Sequence, residues 1–250
     1  MRCVVQKFGG ACFADTERLA LVARKLVEGG EQPVVVVVSA RQGVTDQLGG
    51  QLRSLGIPVA SRAGDLLLAT GEMQCAALLA ATVERLGQRA EVVPPWRVFR
   101  TDGVPGDATI RVVRVGPVRR LLERAVLPIV PGFIGATVGG CVTTLGRGGS
   151  DYSAVALGVA LKAERVELYK AEVDGVYDAD PHAHAGARRF DALSHAEALR
   201  LARAGAKVLQ EKAAALACRA ALPVLVRAAF HDGRGTTIGA SFPAGYVMAG

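Results

Sequence analysis

Residues 2–40 read RCVVQKFGGACFADTERLALVARKLVEGGEQPVVVVVSA, and their pattern decides the class of fold. Arg2 to Gln6 reads as a first strand. Lys7 to Ala14 forms a glycine-containing loop, and Asp15 is a suitable N-cap for a helix whose apolar stripe is Leu19, Val22, Ala23, Leu26 and Val27. Gly29-Gly30 ends that helix. Pro33 then introduces Val34 to Val38, and an unbroken run of β-branched residues suits a central strand covered on both faces. Ser39 stands at its carboxyl end.

The same alternation continues along the chain and predicts an α/β protein with a largely parallel sheet. Helices are expected at Gly71 to Leu86, Val113 to Ala125 and Ser150 to Lys162, and a hairpin at Gly132 to Thr144 turning through Gly139-Gly140. Arg165 to Tyr169 reads as a strand, Ser194 as the cap of a helix reaching Ala204, Gly205 to Arg219 as continuing helix and Pro223 to Val226 as a short strand. There is no internal repeat, low-complexity tract or long linker. Residues 1–250 are therefore expected to form a single domain, with any division into lobes near Thr144, giving 1–144 and 145–250.

Composition narrows the function. The chain has 250 residues, half of them hydrophobic, enough to bury a large core. Its longest apolar runs, such as Val34 to Val38, fall far short of the roughly 18–20 residues that span a bilayer, so no membrane segment is expected. The amino terminus lacks the order of a signal peptide, which points to the cytoplasm. Cys3, Cys12, Cys75, Cys141 and Cys218 are single and odd in number, and read as buried thiols rather than disulfides or zinc ligands. The formal charge is +7, but the arginines interleave with glutamates instead of forming a basic block with aromatics. Nucleic acid is not an expected partner; attraction to anionic small molecules accounts for the charge.

Two glycine loops carry the chemistry. Lys7-Phe8-Gly9-Gly10 and Gly146-Arg147-Gly148-Gly149-Ser150-Asp151 each follow a strand and precede a helix, where free N–H groups and the helix dipole favour phosphate or carboxylate. Neither fits the Walker or dinucleotide fingerprints. A glycine pair alone can be a tight turn, but a turn has no need of the cation and the carboxylate that the second loop adds. Arginine presents a fork that matches a carboxylate, and an aspartate beside phosphates can orient a cationic group or a magnesium ion. Read without further context, Glu72 is a helix-terminal carboxylate interacting with the dipole, and Ser39 and Thr45 are loop hydroxyls or caps.

Several segments together resemble aspartokinase. They are Val5 to Gly10, Val37-Ser39-Ala40 with Thr45-Asp46, Thr70-Gly71-Glu72, Gly132 to Gly135, Thr143 to Asp151, Val173 to Tyr177, Ala179-Asp180-Pro181 and Gly205 to Leu209. They stand in family order from residue 4 to about residue 239. The resemblance implies the amino-acid kinase fold, a three-layer αβα sandwich with a mainly parallel sheet, and an ATP-dependent, magnesium-assisted transfer of phosphate to the side-chain carboxylate of L-aspartate. It implies Lys7 and Asp151 as catalytic residues. Lys7, Phe8, Gly9, Gly10, Ala171, Glu172, Tyr177, Asp180, Lys207 and Val208 are implied for ATP, with Gly9 and Gly10 giving backbone N–H groups to the phosphoryl group. Ser39, Thr45, Glu72, Arg147 and Gly149 are implied for the amino acid, Glu72 binding its ammonium and Arg147 a carboxylate.

The resemblance is not uniform. Ala11-Cys12 stand where the family commonly has Thr-Ser, Ala171-Glu172 where it has Thr-Asp, His182 where it has Arg, and Gln210-Glu211 where it has His-Pro. All but the first lie on the expected nucleotide side. Two alternatives therefore stay open: the same fold acting on another amino acid or a natural-product intermediate, and a non-catalytic ligand-binding relative. Family members commonly carry paired ACT domains after the kinase region. None is expected in 240–250, so control would need a separate regulatory subunit or be exerted on expression, and any oligomer would form through the kinase fold itself, most simply a homodimer.

Overall fold

The structure, a computed structural model, describes every residue except Met1, Glu31, Asp180, His182, Ala185, 206–208, Asp232 and 240–250. The first half contains β1 (Val4–Phe8), α1 (Thr16–Glu28), β2 (Val34–Val38), α2 (Val44–Ser54), α3 (Arg62–Arg85), β3 (Ala90–Val92), β4 (Phe99–Thr101), β5 (Ile110–Val113), α4 (Gly116–Glu123) and β6 (Leu127–Pro131). There follow β7 (Ile134–Ala136), β8 (Val142–Thr144), α5 (Gly149–Leu161), β9 (Arg165–Lys170), β10 (Val176–Tyr177), β11 (Arg189–Phe190), β12 (Ala192–Leu193), α6 (His195–Arg203), α7 (Glu211–Ala220), β13 (Val224–Ala228) and β14 (Thr236–Ile238).

Eight strands form the main sheet in the order β12-β14-β13-β9-β1-β2-β6-β3. Only the β13–β14 pairing is antiparallel. The valine run shows why the sheet is covered on both sides. Val35 and Val37 pack into one apolar cluster with α4, α5, α6 and α7, whereas Val36 and Val38 pack into a second with α1 and α3. Successive side chains of a strand point to opposite faces, so a strand with no polar position requires two apolar layers. All four are fully buried, each contributing about 1.5–3 kcal/mol of hydrophobic stabilisation. The result is the expected αβα sandwich. A second, four-stranded sheet has the order β5-β4-β7-β8, and β7–β8 is the expected hairpin.

Local signals explain most element boundaries. The Asp15 carboxylate accepts the Arg18 N–H at 2.7 Å and caps α1. Ser194 and Glu197 exchange hydrogen bonds in a capping box that opens α6. Elsewhere the expectations need correction. The helix expected from Gly71 begins nine residues earlier, at Arg62, because the Ser61 hydroxyl accepts the Gly64 N–H at 3.1 Å and caps it there. Val113 ends a strand instead of starting a helix, and Pro117 in the first turn places α4 just after it. Gly205 to Arg219 is not one helix: α7 starts at Glu211, where the Gln210 side chain accepts the Ala213 N–H. Among the cysteines, Cys3, Cys12 and Cys75 are buried, but Cys141 is exposed in the hairpin loop and Cys218 is half-buried on α7.

By length and composition α3 could cross a membrane. Here it is a core helix that carries the buried carboxylates Asp65 and Glu72 and packs against α1, α2 and β8. Adjacent leucines on this helix test that packing. Leu79 is fully buried and Leu78 is 43% exposed. Leu79→Ala is expected to cost about 2–5 kcal/mol in urea unfolding, and Leu78→Ala about 0.5 kcal/mol or less. Equal costs would mean that α3 presents a different face to the sheet.

Candidate active site

Strands β1, β2, β6 and β9 run parallel and in register, Phe8 standing beside Val38 and Tyr169 and Val38 beside Pro131, so their carboxyl ends lie level along one edge. Ligands of open α/β sheets bind outside that edge. The loop from β8 into α5 crosses it. Gly148 caps α5 at φ +75°, a left-handed conformation that costs glycine nothing. A Cβ at Gly149 would stand 2.8 Å from the Leu145 Cβ and 3.0 Å from the Phe133 ring, so only glycine lets this loop close onto the Gly132-Phe133 turn. The Ser153 hydroxyl accepts the Phe133 N–H at 3.0 Å and locks turn to helix. Phe133 itself is held at φ +65°, a strained conformation of the kind that collects at functional sites.

Lys7, on the central strand β1, and Asp151, in the first turn of α5, meet at this edge. Lys7 Nζ is 2.6 Å from Asp151 Oδ1, and both residues are buried. Lys170, the last residue of β9, approaches the other oxygen at 3.5 Å. Burial alone would raise the Asp151 carboxyl, but the two ammonium groups outweigh it and hold the pKa at about 2. Asp151 favours the charged form of Lys170, while burial and Lys7 oppose it and leave the ammonium below its ordinary value. Two cations face one anion, so the centre carries net positive charge.

Beside this centre opens a cavity of about 510 Å³. Lys7, Ser39, Thr45, Glu72, Arg147 and Gly149 all line it, although they come from four separate parts of the chain. Glu72 lies in the middle of α3, not at its start, so interaction with the helix dipole does not explain it. One carboxylate oxygen accepts the Ala40 N–H at 3.1 Å, and the other is buried with no partner among the described residues. Burial pushes its pKa up to about 7. Arg147 is exposed at the mouth, without an ion pair among the described residues. Thr45 lies one residue inside α2, whose N-cap is Gly43, so its hydroxyl is not a cap.

The described residues expected on the nucleotide side, Lys7 apart, do not line this cavity. Phe8 is fully buried, stacked on Tyr169 with ring centroids 4.5 Å apart, and offers a ligand no side chain. The Gly9 N–H donates to the Tyr169 carbonyl at 3.2 Å and is committed to the fold, which leaves Gly10 as the donor of that pair. Gly10 opens a short 3-10 turn, Gly10–Phe13, and not α1, whose own N-terminus Asp15 occupies. Ala171, Glu172 and Tyr177 follow β9 and do not line the cavity; the Tyr177 hydroxyl donates to Asp174 at 2.6 Å. Asp180, Lys207 and Val208 lie outside the described residues.

Two residues that motif reading passed over join the site. Lys170 is one; its signal is a lysine at the carboxyl end of a strand paired directly with β1. The other is Asp65, 1% exposed, which accepts the Thr144 hydroxyl at 2.6 Å and the Gly106 N–H at 3.0 Å. Thr144 and Gly106 both line the cavity, so Asp65 ties two of its walls to α3 from behind. Its signal was a spacing. Between Arg62 and Glu84, Asp65 and Glu72 are the only charges on an apolar helix, and seven residues apart they share one face.

Comparison with known proteins agrees with this architecture. The chain is 39% identical to an aspartokinase of Geobacillus stearothermophilus over 241 residues, 95% of this chain and 59% of that protein. It thus spans about three-fifths of the length of the curated relative. The aspartate kinase structure from Synechocystis superposes with a TM-score of 0.82 at 36% identity, covering 96% of this chain and 40% of the other. E. coli aspartokinase III in complex with aspartate and ADP superposes at 0.87 with 27% identity, covering 97% and 66%. The sequence profile of the amino acid kinase family matches residues 2–228, and the chain belongs to that family.

Proposed function

We propose that this chain transfers the γ-phosphoryl group of ATP to the side-chain carboxylate of L-aspartate. The observation that carries the reading is one cavity that holds Lys7 beside Asp151 together with a buried carboxylate oxygen on Glu72 and a guanidinium on Arg147, neither of them partnered among the described residues. That set complements a zwitterion whose further carboxylate points at a phosphate centre. Glu72 takes the ammonium, Arg147 the α-carboxylate, and Ser39 and Thr45 hydrogen-bond the amino acid where Gly149 admits it. Similarity to aspartokinases along 95% of the chain supports the same acceptor, and the aspartate and ADP bound to E. coli aspartokinase III support the same pair of ligands.

The chemistry follows from charge. An aspartate side chain is ionised at neutral pH, so its attack needs no general base. Two anions must meet, and electrostatic stabilisation then dominates the barrier. Lys7 and Lys170 supply positive charge, and Asp151 holds both ammonium groups in position. The lobe 1–144 is assigned the amino acid and 145–250 the nucleotide, with Arg147 and Gly149 reaching across to the amino acid and Lys7 to the phosphate. Magnesium would enter as a companion of the nucleotide: it is commonly held by substrate phosphates with one or two carboxylates, and Asp151 is a carboxylate at this centre. A second acceptor class, another amino acid or a natural-product intermediate, is retained on one observation. Arg53 also lines the cavity and offers a second guanidinium to an additional acidic group. ADP release measured across a panel of amino acids tests the reading; turnover with an acceptor other than aspartate and none with aspartate would overturn it.

Lys7→Ala and Asp151→Ala are expected to abolish most turnover while leaving the circular dichroism spectrum unchanged. Near-normal turnover of either at saturating substrates would remove the pair from the phosphoryl-transfer centre. Arg147→Lys keeps the charge but loses the bidentate fork, so aspartate affinity is expected to fall by about 1–3 kcal/mol in calorimetry.

Glu72 gives the site a pH dependence. A carboxylate that titrates near 7 is protonated below that pH and loses its attraction for an ammonium group. Aspartate binding is thus expected to weaken about tenfold from pH 8 to pH 6, and Glu72→Gln to flatten that dependence. The raised pKa also means that the free protein binds more protons than its unfolded chain, so its stability falls as pH rises from about 4.5 through 7.

A further inference from the structure

A second cavity, of about 530 Å³, opens beside the four-stranded sheet and shares no lining residue with the first. Trp96, Arg97, Arg100 and Arg114 line it with Leu66 and Val142, and none of its lining residues is acidic. The side chains of Arg97 and Arg114 have no hydrogen-bond or ion-pair partner among the described residues. Arg100 donates one terminal N–H to the Thr137 carbonyl at 2.8 Å, but its Nε is buried without a partner. Three guanidinium groups thus converge on one concavity whose own lining holds no carboxylate, an arrangement that focuses positive potential, although Arg97 also lines an adjoining cavity that contains Glu91 and Glu123. The wall beside them is apolar and exposed, Trp96 at 37% and Leu66 at 59%.

We propose that this cavity is a second ligand site, taking a nucleoside di- or triphosphate with its phosphates on Arg97, Arg100 and Arg114 and its base against Trp96. Guanidinium forks match phosphate oxygens in a bidentate way, and a terminal phosphate presents several such oxygens at once. An indole face stacks any base without reading its edge, so the site favours nucleotides as a class. A ring-free anion would fill the cationic part and leave Trp96 and Leu66 wet. Both cavities draw lining residues from α3 and β8, Leu66 and Val142 for this one, Glu72 and Thr144 for the other, and so occupy a common wall.

Trp96 is the only tryptophan in the chain, so its fluorescence reports occupancy directly. The full chain is titrated with ADP and with inorganic tripolyphosphate, and ADP stoichiometry is measured by calorimetry. The expected result is a saturable Trp96 response to ADP and two ADP per chain. An Arg97→Glu, Arg114→Glu double variant is expected to leave one ADP per chain, to weaken the fluorescence response at least about tenfold, and to keep kinase turnover unchanged. One ADP per chain in both proteins, or a response that survives charge reversal, overturns the proposal while leaving the catalytic reading intact. One ADP in the parent and none in the variant supports it and removes nucleotide from the catalytic cavity instead. Tripolyphosphate binding as tightly as ADP overturns the role of Trp96. If charge reversal splits an oligomer on a sizing column with no fluorescence response in the parent, this face joins copies of the chain and the ligand site is overturned. Arg114→Gln, a neutral change at an exposed residue, repeats the measurement should the double variant fail to fold.

Discussion

Asp151 stands between Lys7 and Lys170, 2.6 Å from one ammonium and 3.5 Å from the other, and this contact joins the first turn of α5 to the ends of β1 and β9. Taking three charges out of water costs several kcal/mol per ion, and such groups are often replaceable by apolar residues without loss of stability. Stability therefore does not account for their presence. What the triad does is fix two cations at the edge of the sheet where four strands end. The glycines of the α5 loop, the Phe133 turn locked by Ser153 and the Asp65 clamp on Thr144 all serve to keep that edge open and its walls in place.

Much of this was legible because it is local. Asp15 and Ser194 cap helices through hydrogen bonds to residues three positions away, and Val34 to Val38 state in five residues that the sheet has two covered faces. The glycine loops are contiguous, so their functional residues arrive together in the sequence. The start of α3 was not legible, since a helix apolar on most sides has no stripe by which to place its ends. Strands β4 and β5, three and four residues long, are too short to show alternation, whereas β7 and β8 were found through the glycine turn between them.

The site divides in the same way. Lys7, Glu72 and Arg147 were found as pieces of motifs, and their convergence on one cavity is a property of the fold. Asp65 escaped because its partners are 41 and 79 residues distant in sequence and neither carries a charge. The commitment of the Gly9 N–H to Tyr169 was hidden for a related reason: a glycine in a loop advertises freedom, and only the neighbouring strand shows that the freedom has been spent.

Strand β1 lies inside the main sheet, hydrogen-bonded to β9 on one side and β2 on the other over its whole length. Segments in that position open only when a protein unfolds as a whole, whereas edges and loops open locally and often. Lys7 is part of this strand, so its ammonium group is carried by a segment of the kind that opens last. Arg147 stands on an exposed loop, and its side chain has no ion pair among the described residues. Lys7 and Arg147, which face one cavity, are therefore held to different degrees, one by a central strand and a buried partner, the other by a surface loop.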